Sequence, residues 1–571
     1  MWFNFLKKFK QPRRDDLDPD EILLDSSNLS SFNKQQFEGQ LEKPIGRLTL
    51  YVTGAVFSFI FLLLFIRIGY LEIARGQAFS ARSESNSLRH TAIFAERGII
   101  YDRTGEELAW NNPDHLRTYI SLPGLAHVLG FVGYPDEKQA AQADYENKEV
   151  VGREGVERAY DSVLAGEKGI KIEETDVSGK VVSDYLLQTP VSGESLNLSI
   201  DAKVESQLYA FIKSLAVDKG FHAGAGVIMN VKTGEILALT SYPEYDPNLV
   251  STGNDPAAIK SYLTNPQSPF LNRVIDGLYT PGSTVKPIIA TAALSEKIIS
   301  PDKIINTNGK LVVPNPYDPK NPSVFKDWRN NGPVDLRTAI AYSCDVYFYE
   351  IGGGFGSQPG LGISKIDQYA RLFGLSAPTG LVLGKEASGV IPTPEWKKEN
   401  FDGEDWRLGD TYHTSIGQYG FLVTPLQMVR AVAAIANGGT LITPTLLKDN
   451  KNNLATSKNL GLNPANLQIV REGMRGSATI GTGMGLSVPY VKLATKTGTA
   501  ELGVAKDRVN AWVEGFWPYE NPEYAFTVVM ERGRVGNTVG GVFVMRQLVD
   551  WMHLNTPQYL GLPPLSTATS T

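Results

Sequence analysis

A nearly continuous apolar run, residues 48–66, contains no charged residue and ends at Arg67. At about 1.5 Å per helical residue, such a run approaches the ~30 Å hydrocarbon core of a bilayer. A cleaved signal sequence fits poorly, because the run is long and no small-residue cleavage site follows it. A buried core helix is the alternative. The pattern predicts a membrane-spanning helix over residues 48–68, and the basic residues on both sides leave its orientation undecided.

Shorter patterns beyond this run mix helical and strand periodicity. Apolar residues recur at helical spacing after Asp201 and again after Thr424, and both residues are of types that cap helix N-termini. The second helix is predicted to stop at residues 437–439, an Asn-Gly-Gly sequence. Two apolar runs around a polar turn at residues 232–234 predict a β-hairpin, and residues 491–500 are also strand-like. These patterns predict a chain of mixed helices and strands, and it contains no internal repeats.

Composition limits the classes of function. The chain has 571 residues, enough for two or three domains, and its net charge of −6 gives no reason to propose nucleic-acid binding. Its single cysteine, Cys344, excludes an intramolecular disulfide, and we expect a small buried core residue rather than a reactive thiol. Six histidines without close spacing do not form a zinc-binding pattern with one cysteine. We therefore expect no metal, no cofactor and no nucleic-acid partner.

A serine followed by a lysine one helical turn later, Ser283-Thr-Val-Lys286, opens an apolar pattern. A Pro-Gly pair interrupts the chain before it, and Pro287 suits the first turn of a helix that begins at Thr284. Residues i and i+3 share a helix face, so Lys286 Nζ can reach Ser283 Oγ. The helix N-terminus adds positive potential where an oxyanion would form. This context favours a nucleophile and its base, and an N-cap serine followed by a surface lysine is the alternative.

Context also distinguishes between repeated copies of the same short motifs. The S-x-x-K spacing recurs where no apolar helix follows, starting at Ser31, Ser300 and Ser323. A second element, Ser343-Cys-Asp345, comes later in the chain. The tripeptide Lys-Thr-Gly occurs twice, at residues 232–234 in the predicted hairpin and at residues 496–498. Order along the chain and the small residues around it favour the second copy as part of a site.

Together, these elements resemble those of penicillin-binding proteins and serine β-lactamases. Longer stretches narrow the resemblance to class B penicillin-binding proteins, from about residue 45 to about residue 555: residues 97–109, 152–166, 234–238, 279–287, 417–428 and 511–515. The hairpin copy of Lys-Thr-Gly has its own place in that pattern, which leaves residues 496–498 as the site copy. Asp345 stands where most relatives carry asparagine, and this variant is similar to the cell-elongation branch of the family.

The resemblance implies an α+β multidomain chain. It would have a single N-terminal transmembrane helix, a mostly β pedestal and an α/β transpeptidase domain whose antiparallel sheet is covered by helices. The implied parts are a cytoplasmic tail, the membrane helix, a non-catalytic dimerisation-like pedestal, the transpeptidase domain and a C-terminal tail, at residues 1–47, 48–68, 69–200, 201–558 and 559–571. Residues 110–126 alone separate two pedestal elements that the family places far apart, so the head of the pedestal is predicted to be reduced. The catalytic domain would lie on the periplasmic side of the cytoplasmic membrane.

The resemblance also implies a serine-type D,D-transpeptidase that cross-links peptidoglycan stem peptides during cell-wall elongation and that β-lactams inhibit. Ser283 would attack the D-Ala–D-Ala carbonyl after Lys286 takes its proton, and Ser343 would relay that proton to the leaving D-Ala. Backbone N–H groups of Ser283 and Thr499 would hold the oxyanion. An acceptor amine would then resolve the acyl-enzyme, with hydrolysis as a carboxypeptidase side activity.

The remaining site residues implied by the resemblance bind the substrate. Lys496 would hold the terminal carboxylate together with the hydroxyls of Thr497 and Thr499, beside Gly498. An ionised Asp345 accepts hydrogen bonds but donates none. We therefore expect Asp345 to order the positively charged lysines rather than to act as an amide donor.

The resemblance implies one protein partner and leaves three alternatives open. The segment before residue 48 is too short to hold a glycosyltransferase domain, so the partner would be a membrane glycosyltransferase of the SEDS (shape, elongation, division, sporulation) family. The alternatives are a division-type class B protein, a catalytically weak β-lactam sensor or scaffold of the same fold, and a serine β-lactamase. The last is disfavoured, because the chain lacks a Glu-x-x-Leu-Asn motif for a deacylating water, and such enzymes rarely need an anchor or a pedestal.

Overall fold

The computed structural model describes residues 46–79, 88–135, 149–175, 180–315, 318–450, 453–503, 505–537 and 539–563. The predicted N-terminal tail, up to residue 45, lies outside these ranges, as do residues 564–571 of the predicted C-terminal tail. The chain divides into two compact units, Met1–Arg89 and His90–Thr571.

The first unit contains a long apolar helix. Helix α1 (Arg47–Gly69) continues into a π-helical turn at Tyr70–Ala74, and none of these residues is buried. Together they form a helix of 28 residues that is long and apolar enough to cross a membrane. The guanidinium groups of Arg67 and Arg75 lie 5.6 and 5.8 Å from the centre of the Tyr70 ring, and basic and aromatic side chains are typical of the membrane–water boundary. Exposure of the whole helix within its unit argues against the core-helix alternative.

Short strands dominate residues 88–197. The strands are β1 (Leu88–Ile93), β2 (Ile100–Tyr101), β3 (Glu107–Asn111), β4 (Arg117–Tyr119), β5 (Phe131–Gly133), β6 (Val151–Glu154), β7 (Gly169–Thr175), β8 (Val181–Gln188) and β9 (Leu196–Asn197). The helices are α2 (Ala126–Leu129), α3 (Gly155–Ala159) and α4 (Asp161–Leu164). Strands β4-β3-β2-β9 form a sheet in that order, β5 pairs with β6, and β7 pairs with β8. The segment of residues 110–126 turns back from β3 into β4, where Ala109 lies opposite Tyr119.

A buried ion cluster fixes this strand-rich region. Glu157, which has no exposed surface, accepts hydrogen bonds from Arg97 Nη2 at 2.8 Å and from Arg117 Nε at 2.6 Å. Arg97 Nη2 also lies 2.8 Å from Asp161 Oδ1. Buried charges are tolerated when they are paired and hydrogen-bonded. The cluster links the segment before β2, the strand β4 and the helices α3 and α4.

Helices surround a central sheet in the rest of the second unit. The helices are α5 (Ala202–Lys219), α6 (Pro247–Thr252), α7 (Pro256–Thr264), α8 (Lys286–Ser295), α9 (Leu336–Tyr342), α10 (Asp345–Gly353), α11 (Gly362–Leu372), α12 (Pro394–Asn400), α13 (Leu408–Ser415), α14 (Pro425–Ala436), α15 (Pro464–Thr479) and α16 (Gly541–Asn555). Short 3₁₀-helices occur at Gly282–Val285, Asn453–Thr456, Met484–Leu486 and Pro557–Leu560. The strands are β10 (Ala223–Asn230), β11 (Ile236–Tyr242), β12 (Ile305–Thr307), β13 (Lys310–Val313), β14 (Ser323–Lys326), β15 (Gly332–Val334), β16 (Thr440–Leu441), β17 (Lys458–Asn459), β18 (Ala494–Leu502), β19 (Arg508–Trp517) and β20 (Tyr524–Arg534).

The central sheet is antiparallel throughout, in the order β11-β10-β20-β19-β18. Helices α5 and α16 pack on one face, where their apolar side chains join those of Ile228 and Val528 in one core. Helix α14 packs on the other face, in a second core that includes Val227 and Val529. Since successive side chains of a strand point to opposite faces, the strands β10, β11, β19 and β20 contribute residues to both cores. The sheet therefore lies between two helical layers.

Several local predictions are confirmed. The side chain of Asp201 caps α5 by accepting from the backbone N–H groups of Lys203 and Val204. Thr424 caps α14, which ends at Ala436. The predicted hairpin forms as β10 and β11, and residues 494–502 form β18. The predicted fold class, an apolar N-terminal helix followed by a mostly β region and an antiparallel sheet covered by helices, is also confirmed.

Candidate active site

The turn that carries Ser283 lies at the N-terminal end of α8. Residues Gly282–Val285 form a 3₁₀-helix, and α8 begins at Lys286 with Pro287 in its first turn. The expectation that an α-helix starts at Thr284 is wrong, because the chain enters α8 through this tighter turn. The N–H of Lys286 donates to the carbonyl of Ser283, and side chains at i and i+3 eclipse in a 3₁₀-helix. Ser283 and Lys286 therefore project from the same side of the turn.

The backbone around Ser283 is held by a neighbouring loop. The N–H of Gly282 donates to the carbonyl of Gly417 at 2.9 Å. A Cβ atom at Gly417 would lie 2.2 Å from the carbonyl oxygen of Gly282, so only glycine allows this approach. Ser283 is half-buried, and its hydroxyl makes no hydrogen bond to another residue in the described ranges. The turn thus presents a hydroxyl that is fixed by its backbone and free to meet a ligand.

Two lysines converge on the hydroxyl of Ser343. Lys286 Nζ lies 3.3 Å from Ser343 Oγ, and Lys496 Nζ lies 2.8 Å from the same atom. Neither lysine has any exposed surface. Ser343 ends α9 in a left-handed conformation with φ of 57°, and α10 begins two residues later at Asp345. The junction between these helices thus brings Ser343 to Lys286 and Lys496, which are distant from it in sequence.

Asp345 contacts one of these lysines. Its Oδ1 atom accepts a hydrogen bond from Lys286 Nζ at 2.5 Å, and the carbonyl of Ser343 accepts another from the same nitrogen at 2.8 Å. Burial raises the pKa of Asp345 above its usual value, and the charge of Asp327 adds to the rise, whereas Lys286 and Lys496 oppose it. The geometry suits a carboxylate that orders Lys286.

Lys496 has a different electrostatic environment. Burial is the main cause that lowers the pKa of Lys496 well below its usual value, and the nearby charge of Lys286 lowers it further. The carboxyl groups of Glu514 and Asp345 act in the opposite direction. Besides Ser343 Oγ, the amine donates to the carbonyl of Thr497 at 2.7 Å. A lowered pKa favours the neutral amine, and a neutral amine beside a hydroxyl can accept a proton from it.

The strand that carries Lys496 lies against the turn of Ser283. A Cβ atom at Gly498 would lie 2.8 Å from the carbonyl oxygen of Pro281 and 2.9 Å from Thr284 Cγ2, so a side chain there would displace the turn. The Thr497 hydroxyl donates to Thr482 Oγ1 at 2.6 Å, and Thr499 is exposed. The strand therefore brings one buried amine and one exposed hydroxyl to the turn. In the described ranges, no group of three His, Cys, Asp or Glu side chains could hold a metal ion.

The structure does not bring the repeated motifs to this site. Lys232 is exposed in the turn between β10 and β11. Ser323 and Lys326 lie in β14, where positions i and i+3 face opposite sides. Lys303 donates to Gln358 Oε1 at 2.6 Å, away from Ser283. Ser31 lies outside the described residues.

Three residues at the site belong to none of the predicted sets. Asp327 Oδ2 accepts hydrogen bonds from Val346 N and Cys344 Sγ, both at 3.1 Å. The indole N–H of Trp328, an exposed side chain, donates to the carbonyl of Ser343 at 3.3 Å. Glu514 is a single charged residue in the otherwise apolar inner part of β19. An exposed tryptophan and a lone glutamate in a buried strand are both visible in the sequence, but their proximity to Ser343 and Lys496 is not.

Comparison with known proteins agrees with this arrangement. Residues 224–543 match the penicillin-binding protein transpeptidase domain, and residues 112–198 match the penicillin-binding protein dimerisation domain. The peptidoglycan D,D-transpeptidase MrdA of Acinetobacter baumannii is 28% identical over 601 residues, which cover 87% of this chain and 87% of that protein.

Two solved structures are similar over most of the chain. The complex between penicillin-binding protein PBP2 and MreC from Helicobacter pylori matches with a TM-score of 0.69 and 27% identity, over 82% of this chain and 100% of that one. A peptidoglycan synthase complex, described for its structural coordination of polymerization and crosslinking, matches with a TM-score of 0.69 and 26% identity, over 91% of this chain and 100% of the matched one.

The transpeptidase match covers more than half of the chain and includes every residue of the lysine and serine cluster around Ser343. The dimerisation match adds the strand-rich region that precedes it. The predicted family and enzyme class are confirmed: the chain belongs to the class B penicillin-binding proteins, a family of D,D-transpeptidases, and resembles penicillin-binding protein 2.

Proposed function

We propose that this chain is a peptidoglycan D,D-transpeptidase of cell-wall elongation, which cross-links stem peptides through an acyl-enzyme on Ser283. The observation that carries the proposal is the convergence of Lys286 and Lys496 on Ser343 Oγ, at 3.3 and 2.8 Å, beside the turn that presents Ser283. Support also comes from relatives named peptidoglycan D,D-transpeptidase MrdA and from the similar PBP2 structures.

In the acylation step, Ser283 Oγ forms a bond to the carbonyl carbon of the penultimate D-Ala, and the C–N bond to the terminal D-Ala breaks. Lys286 accepts the Ser283 proton, and Ser343 Oγ passes a proton to the leaving amine. Lys286 must be neutral to act as the base, and Ser343 Oγ, which contacts both amines, connects it to Lys496. Backbone N–H groups of Ser283 and Thr499 stabilise the oxyanion, and loss of one such donor typically slows a reaction by ~10²–10³.

In the second step, an acceptor amine attacks the acyl-enzyme carbonyl, the bond to Ser283 Oγ breaks, and the proton of the amine returns through the lysine and serine cluster. The terminal carboxylate of the donor peptide binds to Lys496, Thr497 and Thr499, and Gly498 lets the strand approach the turn of Ser283. Exposure of Thr499 at the strand edge supports this assignment.

Labelling with a fluorescent penicillin tests the proposed nucleophile. We expect a stable adduct on the full-length chain, on a peptide that contains Ser283, and its loss in Ser283→Ala. Ser300→Ala and Ser323→Ala are matched controls, because each removes a serine with the same S-x-x-K spacing. An adduct that persists in Ser283→Ala, or that maps to Ser300 or Ser323, contradicts the assignment. Rapid release of the adduct indicates a β-lactamase, and an adduct without D-Ala release from a pentapeptide indicates a sensor or scaffold.

We also propose the position of the chain at the membrane and its domain organisation. Helix α1 anchors the chain in the cytoplasmic membrane, with the tail of residues 1–47 in the cytoplasm and the catalytic domain in the periplasm. A pedestal at residues 69–200, with a reduced head, precedes the transpeptidase domain at residues 201–558. The apolar length of α1 supports the anchor. A cysteine-accessibility assay on the chain in membranes tests the orientation, and labelling of the catalytic side from the cytoplasm contradicts it.

The proposed membrane partner is a glycosyltransferase of the SEDS family. Similarity to a structure described for the coordination of polymerization and crosslinking by a peptidoglycan synthase complex supports a partner that polymerises glycan. Co-purification from membranes is the test, with helix α1 replaced by an unrelated membrane helix in a second chain. We expect the replacement to weaken binding. Unchanged binding contradicts a contact through α1, and absence of any polymerase contradicts the proposed partner.

A further inference from the structure

Glu514 is a buried carboxyl group on the strand next to Lys496. In the register of β18 and β19, Lys496 lies directly opposite Glu514, and in the register of β19 and β20, Glu514 lies directly opposite Thr527. Directly opposed residues of an antiparallel pair have Cβ atoms about 4.5–5.5 Å apart. The three side chains therefore form a row across the sheet, on the face that carries the lysine and serine cluster.

No hydrogen bond in the described structure accounts for the burial of Glu514. The residue is 1% exposed, and its Oε2 atom is buried without a hydrogen-bond partner among the described residues. Thr527 Oγ1, next along the row, is buried without a partner in the same way. Burial of a carboxyl group without a partner destabilises a fold. A strand that is otherwise uncharged from Val509 to Trp517 thus keeps a residue that apolar packing disfavours.

The cluster around Ser343 contains two lysines but only one hydrogen-bonded carboxylate, since Asp345 contacts Lys286 and not Lys496. Glu514 is a second acidic group that acts on Lys496. Its charge raises the pKa of Lys496, against the larger effect of burial and the repulsion of Lys286. Burial raises the pKa of Glu514 well above its usual value, and the charge of Lys496 opposes that rise. Each of the two groups therefore favours the charged form of the other.

Other charged groups near this part of the sheet are already engaged. The helices α14 and α15, which pack against it, carry three arginines that donate to backbone carbonyls: Arg430 to Ile442 at 2.8 Å, Arg471 to Tyr519 at 2.9 Å and Arg475 to Leu493 at 2.7 Å. Glu472 of α15 pairs with Arg337. Lys286 of α8, Asp345 of α10 and Glu514 of β19 are the titratable groups that set the charge of Lys496.

We propose that Glu514 is a positioning residue of the transpeptidase site, which acts through Lys496, the residue directly opposite it in the sheet, by supplying a buried negative charge beside the amine. The inference rests on the proposed function, because Lys496 needs a positive charge there to hold a substrate carboxylate. As pH rises, Glu514 ionises and its negative charge retains the proton on Lys496. A unit charge at about the 4.5–5.5 Å that separates the Cβ atoms of opposed residues, at an effective dielectric constant of about 20, changes a proton affinity by about two pH units.

The pH dependence of acylation by a carboxylate-bearing penicillin tests this role. The second-order rate constant is measured on the full-length chain in detergent, from about pH 6 to about pH 10, a range that covers the titration of a depressed lysine. Glu514→Gln keeps the shape of the side chain but removes its charge, so we expect the decline at basic pH to begin one to two pH units lower, on the order of the shift expected from the lost charge. Glu514→Asp keeps a carboxyl group, so its decline should lie between those of wild type and Glu514→Gln. Thr527→Val is the matched control, because it removes a buried, unpartnered and uncharged group from the same row.

Three results overturn the proposal. The first is a basic decline in Glu514→Gln that coincides with wild type, and the second is an equal shift in Thr527→Val, which assigns the effect to packing. The third is absence of acylation in the wild-type chain, which overturns the proposed function as well. Thermal unfolding checks that each variant folds. If Glu514→Gln does not fold, Glu514→Asp decides the question, because its shorter side chain moves the charge away from Lys496 and a profile identical to wild type again overturns the role.

Discussion

The tripeptide Lys-Thr-Gly occurs twice in this chain, and its two copies have opposite environments. At residues 232–234 it forms the turn between β10 and β11, with an exposed lysine and with Gly234 in a left-handed conformation (φ 77°). At residues 496–498 it lies inside β18, where the lysine has no exposed surface and the glycine lies against the turn of Ser283. The same three residues thus form a loop in one place and part of a candidate active site in the other.

The neighbours, rather than the tripeptide, create this difference. In the turn, the side chain of Asn230 accepts hydrogen bonds from the backbone N–H groups of Lys232 and Thr233, so residues close in sequence stabilise the conformation. In the strand, Lys496 donates to Ser343, which is 153 residues away along the chain. A turn can be encoded locally, whereas a buried lysine becomes reactive only when the fold brings distant groups to it.

Substitution of the lysines should give the largest difference in acylation rate between the two copies. Lys496→Ala removes the amine that contacts Ser343 Oγ, and we expect the rate of acylation by a fluorescent penicillin to fall ~10²–10⁴-fold, as for loss of a proton-transfer group. Lys232→Ala changes an exposed side chain and should alter the rate by no more than about twofold. Equal losses of acylation rate in the two variants would contradict a special role for the buried lysine of β18.

Substitution of the glycines in the two copies should affect different properties: the acylation rate at Gly498 and the thermal stability of the fold at Gly234. Gly498→Ala places a Cβ atom 2.8 Å from the carbonyl oxygen of Pro281, which displaces the turn of Ser283, and a displacement of about 1 Å can lower a rate by about 10²-fold. Gly234→Ala forces a side chain into a left-handed conformation, 2.4 Å from the carbonyl oxygen of Thr443, and should mainly lower the midpoint of thermal unfolding. Acylation rates and unfolding curves of both variants check this. A larger loss of stability in Gly498→Ala than in Gly234→Ala would contradict it.

Substitution of the nearby threonines, Thr499 and Thr233, should give a smaller difference in acylation rate. Thr499→Val keeps the size of an exposed side chain but removes the hydroxyl that we assign to the substrate carboxylate, and we expect acylation to slow by about tenfold, as for a lost hydrogen bond to a charged group. Thr233→Val removes the hydroxyl that accepts from the N–H of Glu235 and should leave acylation unchanged. The control uses a β-lactam ester without a free carboxylate, which should lose less rate in Thr499→Val than the acid does.

Asp345→Asn should have a much smaller effect on acylation than loss of either lysine of the site. It extends the comparison to Lys286, which is buried like Lys496 but has a carboxylate 2.5 Å away. The oxygen of an asparagine can still accept from Lys286 Nζ, so we expect the rate to stay within about tenfold of wild type. Lys286→Ala, measured alongside, should abolish acylation. Equal losses would assign a proton-transfer role to Asp345.

Features with a local cause could be predicted from the sequence. The caps at Asp201 and Thr424 follow from residue types that accept hydrogen bonds from the first turn of a helix, and the hairpin follows from two apolar runs around a polar turn. Recognition of the family came from several motifs in a fixed order, which no single motif would have supported. These features depend on a few adjacent residues or on order alone.

Features that depend on packing between distant segments could not be predicted. The 3₁₀ start of the turn at Ser283 depends on its contact with Gly417, which lies far along the chain. Contacts of Asp327 and Trp328 with the junction of α9 and α10 depend on how the loop after β14 folds back. The position of Glu514 opposite Lys496 depends on the register of two strands, and a slip of one residue would place it on the other face.

The single cysteine of the chain can report local opening of the site, because it lies next to Ser343. Cys344 has no exposed surface, its thiol donates to Asp327 Oδ2, and burial raises its pKa to about 12. Only an exposed thiolate reacts quickly with alkylating reagents, so labelling under native conditions requires the junction between α9 and α10 to open locally. The labelling rate therefore measures the free energy of that opening at the position next to Ser343. A bound penicillin that stabilises the closed junction should slow the labelling. The labelling rate of Cys344 therefore reports local opening of the site in the wild-type chain, without any substitution.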